Sequence, residues 1–158
     1  RQMCIRDSTT LVARLADPSP LVRAAAARGL AGDAAAREQL VALRHDPVRV
    51  VRLAAAWATR TTLASDAGAT RELEAWLALL ADDPAGAIRQ SEWAVVQGRP
   101  ADGVKWAQRA LTDQPSPGAW HTLARALLAA GRRDDAAAAL QRAQQMLQQA
   151  GGPAAPPR

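Results

Sequence analysis

Apolar positions recur twice in the first third of the chain in the same frame. Leu11 to Ala27, LVARLADPSPLVRAAAA, aligns at a spacing of 29 residues with Leu40 to Ala56, LVALRHDPVRVVRLAAA, and ten of the seventeen positions are identical. The shared frame is Leu-Val-Ala, then Asp-Pro, then Val-Arg-x-Ala-Ala-Ala, so each copy predicts a helix, a break and a second helix. Pro18 and Pro47 are expected at the start of the second helix, where a missing N–H breaks no bond. Asp17 and Asp46 are expected to accept from the free N–H groups of the turn that follows. A lone hairpin of this kind cannot bury its apolar face and must stack on a neighbour, which places Val22 and Val51 in equivalent buried positions.

A different pattern follows. In ELEAWLALLADDP the residues Leu73, Trp76, Leu77 and Leu80 fall on one helical face that ends at Asp82-Asp83-Pro84, a bridging helix within 64–83. Further on, AWHTLARALLAAGRRDDAAAALQRA sets Trp120, Leu123, Ala124 and Leu127 on one helix, Gly131 at its C-terminal cap, and Ala136, Leu140 and Ala143 on the next. The preceding unit, AGAIRQSEWAVVQGRPADGVKWAQRALTDQP, keeps Gly98, Ala110 and Pro115 but is less regular. The last periodic helix, Arg133 to Gln149, turns a row of glutamines outward as a polar cap. Residues 150–158, with two adjacent Gly and three Pro, are expected to form a disordered tail. In all, about nine helices and no sheet are predicted.

The first two units resemble short HEAT-like repeats. In that family an Asp at the inter-helix turn and an Arg early in the second helix form ladders between successive repeats; the matching residues are Asp17 and Asp46 with Arg23 and Arg52. The order Trp120, Leu123, Ala124, Leu127, Gly131, Ala136, Leu140, Ala143 resembles the tetratricopeptide (TPR) signature, and the resemblance makes these packing positions. In the unit before it, Ala87 and Gln90 stand where that family prefers Trp and Leu. The expected fold is therefore an all-α solenoid of stacked helical hairpins, HEAT-like over 9–63 and TPR-like over 84–149. The TPR resemblance also implies a concave groove lined by first helices, which by register includes Glu92, His121 and Arg125.

Composition agrees with a helical chain of close-packed backbones: Ala and Leu dominate, and there are five Trp but neither Phe nor Tyr. The net charge of +5 is uneven, with ten Arg against five acids in residues 1–62 and nine basic against ten acidic residues in 63–150. These arginines alternate with acids and carry no recognition motif, which argues against nucleic acid as the partner. Arg28, Arg44 and Arg49 lie outside the ladder and are the expected contacts to an acidic protein partner.

Arg1 to Asp7, RQMCIRD, is the in-frame translation of CGTCAGATGTGTATAAGAGACAG, a transposase adapter used in sequencing libraries, whose last two bases begin the Ser8 codon. Residues 1–8 are therefore read as adapter that packs against nothing. Cys4, the sole cysteine, then carries no redox or metal meaning.

Catalytic chemistry finds few candidates. His45 and His121 are the only histidines, and C-x-x-C-H, H-E-x-x-H and a Gly-rich phosphate loop are all missing. His45 precedes Asp46-Pro47 and fits a helix C-terminus, while Asp82-Asp83 and Asp134-Asp135 fit helix N-termini. Trp120 and Trp76 fit core positions; Trp57, Trp93 and Trp106 fit either inter-repeat packing or a docking surface. No catalytic, cofactor-binding or metal-binding residue is expected.

HEAT-like units running into TPR-like units resemble the C-terminal haem-free region of bacterial multihaem c-type cytochromes. The resemblance covers most of 9–149 and implies a non-catalytic interaction scaffold with no membrane span, attached to an extracytoplasmic parent whose haem c lies upstream. Its partner would be the upstream domain or a separate, acidic protein. The other reading is a HEAT-like lyase or enzyme subunit holding a tetrapyrrole or other cofactor in its groove.

Overall fold

The computed structural model describes residues 9–150, so the adapter reading of 1–8 and nearly all of the proposed tail lie outside the described residues. Within them the chain is all-α, with no strand. It forms two compact units that divide between Trp76 and Leu77.

The first unit opens with helical residues 9–14 (α1). Helix α2 (Pro20–Gly29) follows, then a short α3 (Arg37–Ala42) that tightens into a 3₁₀ turn at Leu43–His45, then α4 (Arg49–Ala58) and a second 3₁₀ turn at Arg60–Ser65. Helix α5 (Ala67–Leu79) begins here and runs across the division. Leu15, Ala24, Ala27, Leu30, Leu40 and Val51 close one core in which α2 packs on α4. Alanine on the facing sides lets the two backbones come close.

The two Asp-Pro turns are built alike, but not as expected. Pro18 and Pro47 stand two residues ahead of the first helical residues, Pro20 and Arg49, and it is Pro20 that takes the first helical position. Each aspartate accepts from the N–H two residues on, Asp17 Oδ1 from Ser19 at 2.9 Å and Asp46 Oδ1 from Val48 at 2.8 Å. These are Asx turns, which set the angle at which the chain enters the helix. The expected equivalence of the valines fails as well: Val51 is fully buried, whereas Val22 is 36% exposed. Val51 belongs to the core that α2 closes, and Val22 is not among the residues packed against it.

The second unit contains α6 (Pro84–Val96), α7 (Pro100–Asp113), α8 (Pro117–Ala129) and α9 (Arg133–Ala150), each packed on the next, with α6 also against α8. Proline occupies the first position of α6, α7 and α8, and the side chains of Asp83 and Ser116 cap α6 and α8 by accepting from Gly86 and Ala119. Helices α6 and α8 end alike. Gly98 and Gly131 take φ of 71° and 78°, and the next residue reaches back from Arg99 N to the Ala94 carbonyl (2.8 Å) and from Arg132 N to the Leu127 carbonyl (2.9 Å). Only glycine adopts that left-handed conformation without penalty.

Of the positions marked by the TPR pattern, Leu123, Ala124, Leu127, Ala136 and Ala143 are buried. Two differ from expectation. Trp120 is half-buried at the edge of the core, and Leu140 is 37% exposed, because the buried stripe of α9 runs through Ala136, Ala139 and Ala143 and leaves Leu140 on its flank. The aromatic that is buried is Trp93, at 2% exposure.

Candidate interaction surfaces

The strongest electrostatic feature of the first unit is a ladder of arginines. Arg23 projects from α2 and grips Asp46 with Nε and Nη2 at 2.9 and 3.0 Å, while its Nη1 donates to the carbonyls of Asp17 and Pro18 at 2.8 and 3.1 Å. Arg52, one period later, repeats this on Glu72 at 2.9 and 2.8 Å and on the carbonyls of Asp46 and Pro47 at 2.9 and 3.1 Å. Each guanidinium thus ties its own turn to an acid 20 or more residues further along the chain, with the fork geometry that only arginine offers. Glu72 as the second acceptor was not legible in the sequence, since it lies 20 residues from Arg52 in a helix of a different pattern.

These contacts set the protonation of the acids. The hydrogen bonds from Arg23 hold Asp46 below the ordinary carboxylate range against the opposing effect of burial, and those from Arg52 do the same for Glu72. Both depressed groups contribute stability that is fully present above about pH 5 and is lost as pH falls through their folded-state values. Asp46→Asn is expected to be less stable than the parent at pH 7, with a shallower further loss on acidification. Urea melts at neutral pH and near pH 3 check this, and parallel acid slopes for the two proteins would refute it.

Arg44, expected as an exposed contact, is buried at 4% exposure and leaves the list of candidate contacts. Its Nε donates to Thr59 Oγ1 at 2.9 Å, and its Nη2 to the Thr59 carbonyl at 3.2 Å and Thr62 Oγ1 at 3.0 Å. Burial lowers its pKa from the usual arginine value, with Asp66 acting in the opposite sense. The reason for the burial is local. The 3₁₀ turn after α3 rotates residue 44 inward, toward the carbonyls left free where α4 ends.

The remaining candidates are on the surface. Arg28 is exposed in the last turn of α2, and Arg49, 54% exposed along its side chain, lies 3.4 Å from Glu72. His45 ends the 3₁₀ turn, exposed and 3.9 Å from Asp66. In the second unit His121 is exposed, and Arg125 is 3.5 Å from the half-buried Glu92, so the structure brings together two of the three residues assigned to the groove. The guanidiniums of Arg60 and Arg109 sit over the rings of Trp57 and Trp106 at 4.5 and 5.5 Å, within cation–π range.

The second unit also carries an open groove of about 280 Å³ with Trp120, Leu123 and Leu127 on its apolar side and Arg132, Asp135 and Arg142 among its polar lining. The half-burial of Trp120 follows from this groove. Among the described residues no cluster of three His, Cys, Asp or Glu could hold a metal ion, and no helix is long and apolar enough to cross a membrane. Comparison with protein-family models, curated proteins and solved structures gave no match.

Proposed function

We propose that the chain is a non-catalytic protein-interaction scaffold, a solenoid of stacked helical hairpins with two HEAT-like units over 9–63, a bridging helix within 64–83 and two TPR-like units over 84–149. The observation that carries this reading is the repeated ladder. Arg23 and Arg52, one 29-residue period apart, make the same contacts to their own turns and to an acid one layer on, which is how stacked repeats hold register. The exposed charge of the first unit then favours an acidic partner, with Arg28 and Arg49 as contacts.

Polyglutamate serves as the probe, with polylysine as control. Binding to polyglutamate alone is expected, weakening at least about tenfold between roughly 25 and 150 mM salt because exposed charges are screened beyond about 8 Å. Arg28→Ala combined with Arg49→Ala should weaken it further. Binding that ignores salt and survives both substitutions would reject the electrostatic part and point to an apolar contact. The parent protein is, on the same resemblance, a multihaem c-type cytochrome. Several C-x-x-C-H motifs in its upstream coding sequence support that parentage, and none would overturn it.

A further inference from the structure

The two copies of the 29-residue unit differ in one respect that sequence identity hides. On α4, Val51, Ala54 and Ala58 lie at i, i+3 and i+7 and are all buried in the core shared with α2. The residues one period earlier on α2, Val22, Ala25 and Gly29, are all exposed. Each helix has the first helix of its own hairpin beside it, with Leu11 and Val12 packed against the core in one copy and Leu40 and Leu43 in the other. What α4 has in addition is the preceding layer, α2.

The polar edge of the same face shows the same difference. Asp46 receives Arg23 of the preceding layer through both carboxylate oxygens. Asp17 occupies the identical turn, with its Oδ1 on Ser19 N, and its Oδ2 is met at 3.1 Å by Arg14, a 60% exposed side chain three residues away.

We propose that the α2 face of Val22, Ala25 and Gly29, with Asp17 at its edge, receives a further helical hairpin of the same kind, placed ahead of residue 9 in the native chain and donating an arginine to Asp17 as Arg23 donates to Asp46. This rests on the stacked-repeat reading above. Charge and continuity choose this occupant over a second copy of the chain, because both ladder arginines of a second copy are already engaged, Arg23 on Asp46 and Arg52 on Glu72. An upstream repeat brings its own arginine and extends the ladder by one step.

The test replaces residues 1–8 with a copy of the chain's own residues 9–37, which sets one added layer in register ahead of Thr9, and follows amide hydrogen exchange in α2. Docking is expected to slow exchange of the α2 amides at least about tenfold relative to the parent, since covered helices open only with the larger unit. Asp17→Asn, which keeps the acceptor for Ser19 N but loses the charge, should reverse much of that gain, and Val22→Asp should abolish it. In the parent both substitutions should leave α2 exchange within about threefold. Unchanged α2 exchange with an unprotected added layer overturns the proposal. A parent that dimerises through α2, and stops doing so with Val22→Asp, makes a second copy the occupant in place of an upstream hairpin and overturns the proposal too. Asp46→Asn in the parent separates the two readings: loss of α4 protection there shows that the internal ladder holds even if the added layer does not dock.

Discussion

Gly86→Ala is expected to destabilise the second unit by about 3–4 kcal/mol, although alanine is the better helix former. Gly86 lies in the first turn of α6, where its N–H donates to the capping Asp83 side chain at 3.0 Å. A Cβ at this position would overlap the carbonyl of Leu80 and come within 2.8 Å of the Leu80 Cβ. That carbonyl cannot withdraw freely, because it accepts from Asp83 N at 3.1 Å and so holds the residue that caps α6. The substitution therefore adds overpacking against rigid backbone to the loss of a cap worth about 1 kcal/mol. Gly118→Ala in α8 is the control. Its nearest neighbour would be Ser116 Oγ at 4.0 Å, and the site is exposed, so a neutral or slightly stabilising effect is expected. Denaturant melts of the two variants decide it, and a cost below about 1 kcal/mol for Gly86→Ala would show that the turn after α5 yields.

The sequence frame around Gly86 shows what could be read in advance and what could not. Pro84-Ala85-Gly86 and Pro117-Gly118-Ala119 lie 33 residues apart in the same place on α6 and α8, and the positions of glycine and alanine are exchanged. Nothing local says which glycine is obligatory; the answer comes from Leu80, which approaches only one of the two helices. Gly131, by contrast, was legible as a cap, because a left-handed residue after a helix is a local requirement.

The same division holds in the first unit. The all-α class and the break at each Asp-Pro follow from period and turn chemistry, which act over a few residues. The Arg23 to Asp46 contact was accessible only through the resemblance to a repeat family, since it spans 23 positions. Arg44 and Arg49 look interchangeable on either side of His45-Asp46-Pro47, yet one is buried on Thr59 and the other exposed. A 3₁₀ turn of three residues shifts side-chain direction by more than periodicity can track. Val22 and Val51 show the other limit, for identical residues in identical local frames differ by what stacks on them.

Trp93→Ala is expected to cost about 3–5 kcal/mol, the range for truncating a fully buried large aromatic, and Trp93→Phe less than about 1 kcal/mol. The pattern around Trp120 made that residue the expected core aromatic, but Trp120 is half-buried beside the groove, and Trp93 is the one removed from water. Two buried polar atoms on α6, Trp93 Nε1 and Ser91 Oγ, have no hydrogen-bond partner among the described residues. An unpaired indole N–H costs about 1–3 kcal/mol in desolvation, so phenylalanine loses packing volume but also removes that penalty, and the two effects nearly cancel. Alanine removes the penalty as well, yet leaves the volume of the indole empty, and the cavity outweighs that gain. Urea melts of the two variants give the comparison. A phenylalanine variant as damaged as the alanine one would mean that the indole N–H has a partner, such as a buried water, and that Trp93 contributes through a hydrogen bond as well as through its volume.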